Sequence, residues 1–275
     1  MIYQPCHLLQ YRHSGDLAII AHRGASAYYP ENTMISFEGA INMGADMVEL
    51  DVQMTADGEV IVFHDETLNR CTNGRGKIAD YSLSDLKKLD AGSWFDGFFQ
   101  GEKIPTLEEV LRACKNRIAV NIEIKDSAIR NPREGGIEEK CLELVEKIGI
   151  SEHVVFSSFS PLALRHIRQI DTKMPIAVLY DRKYYGAKLP SEIVSGLSAN
   201  AFNCSLRQLN KKWLADLRQQ DIPVNVYTVN DEKNMRRLLD VGVNGIFTNH
   251  VDVLKKIREI FRGKGTAALQ KPGIG

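Results

Sequence analysis

A chain of 275 residues, 44% hydrophobic and 25% charged, is long enough for a sizeable buried core and admits one large domain or two small ones. Its 35 basic residues balance 35 acidic ones, which removes the net positive field of a sequence-independent nucleic-acid binder, so no nucleic acid is expected as a partner. The longest apolar runs, such as Leu17 to Ala21 and Val60 to Phe63, fall far short of the roughly 20 residues a helix needs to cross a bilayer, and no membrane insertion is expected.

The first segment, Met1 to Asp16, lacks the basic start, apolar run and small-residue cleavage site of a signal peptide. Five cysteines, Cys6, Cys71, Cys114, Cys141 and Cys204, lie far apart, which argues against a thiolate metal site and against a disulfide framework. Reduced structural thiols and a cytoplasmic location are the expectation.

From Leu17 onward, short β-branched or apolar runs alternate with longer amphipathic stretches. The first strand, Leu17 to His22, runs into Arg23-Gly24-Ala25, and a helix follows from about Asn32. The second, Met47 to Met54, meets the turn Thr55-Ala56-Asp57-Gly58 and a short strand Glu59 to His64, so this unit ends in a hairpin. Residues 65–105 are rich in Gly, Asp and Asn, with a short helical piece around Ser84 to Leu89 and the aromatics Trp94, Phe95, Phe98 and Phe99. They read as an insertion over one face of the domain, either an excursion packed by those aromatics or a substrate-shaping cap, with the cap favoured.

Six more strands follow: Ile118 to Lys125, Val154 to Ser157, Pro175 to Tyr180, Ala201 to Cys204, Pro223 to Val229 and Gly245 to Thr248. Helices are expected from near Thr106, Ile137, Pro161, Ser191, Asn210, Asp231 and His250; Thr106 with Glu109 fits a capping box, and Pro161 suits a first helical turn. Eight strands in this rhythm, in a chain near the roughly 250 residues usual for the fold, predict an α/β protein: a single (β/α)₈ TIM barrel over residues 1–261. The remainder, 262–275, is expected to be a mobile tail.

Strand side chains two apart share a face. In the second strand Val48, Leu50 and Val52 alternate with Glu49, Asp51 and Gln53; in the third, Val120, Ile122 and Ile124 alternate with Asn121, Glu123 and Lys125. With the apolar set against the outer helices, Glu49, Asp51 and Glu123 point inward near the ends where barrel enzymes carry their chemistry. Carboxylates so close and so dry need a shared proton or a cation between them, and an all-oxygen set suits Mg²⁺, Ca²⁺ or Mn²⁺ better than Zn²⁺. His22 and His64 each stand where an apolar strand gives way to a loop, and two imidazoles can divide the base and acid roles toward a phosphodiester. Arg23 and Lys125 suit the phosphate oxygens: a guanidinium grips two at once and an ammonium supplies a point charge.

The segments His22-Arg23-Gly24, Pro30-Glu31-Asn32-Thr33, Glu49-Leu50-Asp51-Val52, Phe63-His64-Asp65 and Asn121-Ile122-Glu123-Ile124-Lys125 together resemble the signature of glycerophosphodiester phosphodiesterases, in order and approximate spacing, within a likeness running from about Ile19 to Leu254. The resemblance implies one divalent cation on Glu49, Asp51 and Glu123, His22 and His64 as acid and base, and Arg23 and Lys125 on the phosphate. It also implies a small glycerophosphodiester substrate whose glycerol 2-hydroxyl attacks phosphorus, giving a cyclic phosphate that water opens to glycerol 3-phosphate. Two positions depart from the family pattern. Tyr227 stands where Trp is frequent, at the glycerol pocket, and Asn249 stands where Asp is frequent. Two rival readings are a phospholipase D-like enzyme that acts on lipid or lysolipid and stops at the cyclic phosphate, and a silent phosphate-binding barrel.

Overall fold

The computed structural model describes residues 17–129 and 135–269. The segment Met1 to Asp16, including Cys6, and the last six residues of the expected tail lie outside the described residues. Strand β1 (Ala18–His22), helix α1 (Met34–Met43), β2 (Met47–Met54) and β3 (Val60–Val62) come first. The insertion holds the one-turn helix α2 (Leu83–Leu86), and α3 (Leu107–Cys114) leads back to the barrel. Then follow β4 (Ala119–Ile124), α4 (Ile137–Ile148), β5 (Val154–Ser158), α5 (Pro161–Ile170), β6 (Ile176–Leu179), α6 (Arg182–Tyr185) and α7 (Pro190–Gly196). The last elements are β7 (Ala201–Ser205), α8 (Lys211–Gln219), β8 (Val224–Tyr227), α9 (Glu232–Asp240), β9 (Gly245–Thr248) and α10 (Val251–Leu269).

Hydrogen bonding runs β1-β9-β8-β7-β6-β5-β4-β2-β3, and a parallel pairing of β1 with β2 closes the ring. Eight parallel strands ringed by helices make the (β/α)₈ barrel that the alternation predicts. The ninth strand, β3, pairs antiparallel with β2, Val52 opposite Val62 and Met54 opposite Val60. It takes over the edge of β2 beyond the point where β1 ends, at His22 opposite Glu49.

Burial follows the period of two. Ile19, Val48, Leu50, Val52, Val120, Ile122 and Ile124 are sealed against the helices in the main core, each contributing about 1.5–3 kcal/mol by leaving water. Inside the ring a second, smaller core stacks Ala18, Ile20, Met47, Ala119, Val155, Ala177, Ala201 and Phe247, small beside large as a narrow barrel requires. One step higher the inward side chains turn polar: Glu49, Asp51, Asn121, Glu123, Ser157, Asn203 and Asn225 are all buried. The change from apolar plug to polar layer sets the floor of the site.

Thr106 and Glu109 form the capping box, the Glu109 amide donating to Thr106 Oγ1 at 3.2 Å and the Thr106 amide to Glu109 Oε2 at 2.7 Å. Three features go beyond the sequence reading. Helix α10 runs on to Leu269, into the segment 262–275 that the sequence sets apart as a tail. Helix α6 was not anticipated; at four residues it is too short to show a period. The insertion is not packed by its aromatics: its core joins Leu68, Cys71, Ile78, Leu86, Ala91 and Ile104 to Ile61 and Phe63 of the hairpin. Trp94, Phe95 and Phe99 lean edge-to-face on one another near the surface, and Phe98 is 85% exposed. Composition gives no sign of which apolar side chains a loop turns inward.

Candidate active site

At the end of β1 the chain turns sharply. Arg23 has φ +58° and Gly24 φ +83°, and a Cβ on Gly24 would stand 2.3 Å from Ser36 Oγ, so only glycine fits beneath the turn. The turn is pinned by the Arg23 carbonyl, which accepts from the Asn32 amide and from Ser36 Oγ. A non-glycine residue in this left-handed region is uncommon, and here it aims the Arg23 amide at Glu49 Oε2, 2.9 Å away.

Glu49, Asp51 and Glu123 bring one carboxylate oxygen each within 4.8 Å of the others. Asp51 is opposite Glu123 in the β2–β4 ladder, and Glu49 lies one inward step below on the same strand. Lys125 Nζ donates to Glu123 Oε1 at 2.7 Å and stands 3.4 Å from Asp51 Oδ1; Arg23 Nε is 3.4 Å from Asp51 Oδ2, and Asn32 Nδ2 donates to the same oxygen at 2.9 Å. Burial would raise all three carboxyls. At Asp51 the charges of Lys125 and Arg23 override it and hold the group at about 2. Glu123 is pushed up to about 7 by burial and by Asp51, and Glu49 well above its usual range by burial and by both acidic neighbours. Glu49 Oε1, buried, has no hydrogen-bond partner among the described residues. An orphaned carboxylate oxygen facing two more is a mismatch that a hard cation resolves, so the residues fit the ion the sequence implies.

The two imidazoles are held alike, each by Nδ1. His22 Nδ1–H donates to Asn249 Oδ1 at 2.9 Å, across the seam between the first and last strands, and His64 Nδ1–H donates to Asp65 Oδ1 at 2.6 Å. In both rings the bond is made at Nδ1 rather than Nε2. Burial, with Arg23 adding, lowers His22 to about 4. His64 is also lowered by burial, while Asp51 and the Asp65 bond pull the other way.

A cavity of about 190 Å³ opens between these groups, lined by His22, Arg23, Glu49, His64, Glu123 and Lys125 on one side and by Phe159, Leu179, Tyr227 and Phe247 on the other. Tyr227 is edge-on to both Phe159 and Phe247, and its hydroxyl donates to the Tyr180 carbonyl at 3.3 Å, so the ring presents chiefly an apolar face. All eight residues singled out from the sequence converge here: seven of them line the cavity, and Asp51 sits with Glu49 and Glu123. Sequence reasoning gave no role to Glu31, Asn32, Asp65, Arg70 or Gln53. Glu31 and Asn32 lay inside a motif already noted, and Asp65 directly follows His64. Gln53 continues the inward set of β2 and braces the loop after His64 from beneath, its Nε2 donating to the His64 and Asp65 carbonyls and to Ser127 Oγ.

Residues 22–253 match the model of the Glycerophosphoryl diester phosphodiesterase family. A glycerophosphodiester phosphodiesterase of Bacillus subtilis is 39% identical over 256 residues, covering 87% of this chain and 86% of its own. One from Caldanaerobacter subterraneus subsp. tengcongensis is 36% identical, covering 86% and 95%. Among solved structures, an Oleispira antarctica phosphodiesterase in complex with the product sn-glycerol-3-phosphate superposes with a TM-score of 0.80 at 27% identity, over 90% of this chain and 99% of that one. A (β/α)₈ barrel whose mouth joins buried carboxylates to paired imidazoles is the class of protein described. The chain belongs to the glycerophosphoryl diester phosphodiesterase family.

Proposed function

We propose that the chain hydrolyses small glycerophosphodiesters to glycerol 3-phosphate and an alcohol, with one divalent cation, Mg²⁺ or Ca²⁺ (Mn²⁺ also suits the oxygens), held by Glu49, Asp51 and Glu123. The observation that carries this reading is the pair of imidazoles fixed through Nδ1, both lining one cavity with the carboxylate cluster. When bound, the cation would neutralise charge on the phosphoryl oxygens and acidify the attacking hydroxyl.

The protein's own groups divide the proton traffic. His22 Nε2, its ring kept neutral by burial and Arg23, takes the proton of the glycerol 2-hydroxyl as that oxygen bonds to phosphorus. The bond from phosphorus to the alcohol oxygen breaks, and His64, whose imidazolium the Asp65 carboxylate supports, delivers a proton to the leaving oxygen. The cyclic phosphate is opened in reverse: water gives a proton to His64 as it attacks, and His22 returns one to the glycerol oxygen. Arg23 and Lys125 hold the non-bridging oxygens, and the apolar wall of Phe159, Leu179, Tyr227 and Phe247 receives the carbon face of the glycerol. A cytoplasmic site of action is part of the proposal; Cys71, Cys114, Cys141 and Cys204 are buried free thiols, at home in a reducing compartment.

Release of glycerol 3-phosphate from glycerophosphocholine and glycerophosphoethanolamine, with Mg²⁺ or Ca²⁺ and with EDTA, tests the reading in the intact protein and in His22→Ala. Metal-dependent product that disappears in the variant supports it; absence of turnover with a cation bound overturns it. The exposed Phe98 and Trp94 favour a second reading, a lysolipid substrate, which the same assay on a lysophospholipid decides.

A further inference from the structure

Arg70 lies in the insertion, outside the cavity lining, and binds two carboxylates at once. Its Nε and Nη2 donate to Asp65 Oδ2 and Oδ1 at 2.7 and 2.9 Å, while Nη1 and Nη2 donate to Glu31 Oε2 and Oε1, each at 2.8 Å. Each partner leads on to the site. Asp65 accepts from His64 Nδ1 at 2.6 Å. Glu31 Oε1 also accepts from Arg23 Nη1 at 2.8 Å, and Arg23 in turn faces Asp51. One guanidinium thus joins the imidazole at one edge of the cavity to the phosphate-facing arginine at another.

Geometry separates this from an ordinary surface ion pair. Single exposed pairs contribute little to stability, and by that standard Arg70, with 43% of its side chain exposed, would matter little. Here the planar fork saturates two carboxylates in bidentate fashion, which fixes angles as well as distances and which an ammonium cannot reproduce. Asp65 lies on an irregular segment, 26% exposed, with no helix or strand to hold its χ angles. Its two oxygens are set by Arg70 on one side and His64 on the other, so the plane of the carboxylate, and hence the rotation of the imidazole, depends on the guanidinium. Trp94 closes over the outer side of Arg70, 5.9 Å from ring centroid to Cζ. Within the insertion, Arg70 therefore stands behind Asp65, the residue that touches His64, and joins it to Glu31.

We propose that Arg70 is a positioning residue: through Asp65 it fixes the His64 ring with Nε2 presented to the leaving oxygen, and through Glu31 it ties that setting to the arginine that holds the phosphate. The proposal rests on the reading of His64 as the leaving-group acid given above. It also assigns a role to the Glu31 of the Pro30-Glu31-Asn32-Thr33 segment, which bridges the two arginines.

The test is a double-mutant cycle on the cation-loaded enzyme with glycerophosphocholine, measuring kcat and KM separately. Arg70→Ala is expected to lower kcat by about 30-fold with KM changed less than about threefold, and in the His64→Ala background the same change should lower kcat less than about threefold. Arg70→Lys should recover little, and added guanidinium ion should restore part of the Arg70→Ala activity. Equal losses in both backgrounds, or a loss confined to KM, would overturn the proposal. A second readout is independent of turnover: the low-field NMR signal of the His64 Nδ1 proton, assigned by its absence in His64→Ala, should shift or vanish in Arg70→Ala and persist in wild type. If it is unmoved in folded Arg70→Ala or Arg70→Lys protein, the positioning role is wrong. Should wild type hydrolyse neither glycerophosphodiester, the functional reading fails and this signal still decides the role of Arg70.

Discussion

The two halves of the barrel mouth are built from opposite materials. Toward β1, β2 and β4 the inward side chains are charged and crowded, with Glu49, Asp51, Glu123, Arg23 and Lys125 within hydrogen-bonding or ion-pairing reach of one another. Toward β5 to β9 they are uncharged: Ser157, Asn203 and Asn225 below, with Phe159, Leu179, Tyr227 and Phe247 around the cavity. One half is held together by charge that is costly to bury, the other by packing that is stable by itself. The difference predicts that the charged half loses function readily while its removal can leave the fold intact, and that the apolar half behaves the other way.

Substitutions on the charged side should have the largest effects. Glu49→Gln is expected to reduce turnover by roughly three powers of ten, about 4 kcal/mol, by weakening the cation site. It should also raise the thermal midpoint of the metal-free protein, because an orphaned buried carboxylate is replaced by a neutral amide. Turnover assays with calorimetric titration of Mg²⁺ or Ca²⁺ measure the first effect and thermal unfolding the second, and a metal-free midpoint that drops would end the contrast between the halves. Next come His22→Ala and His64→Ala, each expected to lower kcat by about 10²–10⁴-fold. The His64 loss should shrink with an aryl leaving group that departs without a proton, and an equal loss with both leaving groups would remove the acid assignment.

The pH dependence follows from the same crowding. Glu123 sits at about 7 in the folded, metal-free protein against an ordinary 4.5, so the folded state binds this proton more tightly than the unfolded chain. Its stabilising contribution is complete below pH 4.5 and is lost as pH rises through about 7. The metal-free midpoint should therefore decline over that window, and a saturating cation should flatten the decline by taking the proton's place. A metal-free midpoint that climbs instead would mean that the carboxylates are already ionised.

On the apolar side Tyr227→Phe removes the bond to the Tyr180 carbonyl and should cost about 1 kcal/mol of stability, with kcat changed by less than about threefold. The smallest effect is expected at the rim: Phe98→Ser should leave hydrolysis of water-soluble diesters unchanged, and a marked loss there would bring the insertion's aromatics into contact with substrate.

What was legible in the sequence divides along similar lines. Glu49, Asp51 and Glu123 could be placed because strand alternation fixes the face of every residue once one neighbour is known to be apolar. His22 and His64 were visible as the points where strands stop. Arg70 was not, because its partner Glu31 is 39 residues away and no local period links an insertion to the first loop. Tyr227 was placed at the cavity, but the use of its hydroxyl was not: the carbonyl of Tyr180, the residue just past β6, takes it, and only the closed barrel brings them together.

The bond from His22 to Asn249 has a consequence for folding. Nearly every charged or acid/base group of the site other than Glu123 and Lys125 lies between residues 22 and 70, around a hairpin whose contacts are local and fast to form. The seam that closes the ring joins residues 18–21 to 245–248, the strand pairing of greatest sequence separation among the described residues. His22 receives its partner from across that seam. A barrel still open there would carry most of its charged cluster and His64, the proposed acid, but His22, the proposed base, would lack its partner, so the enzyme is expected to become active only at the last step of its own assembly.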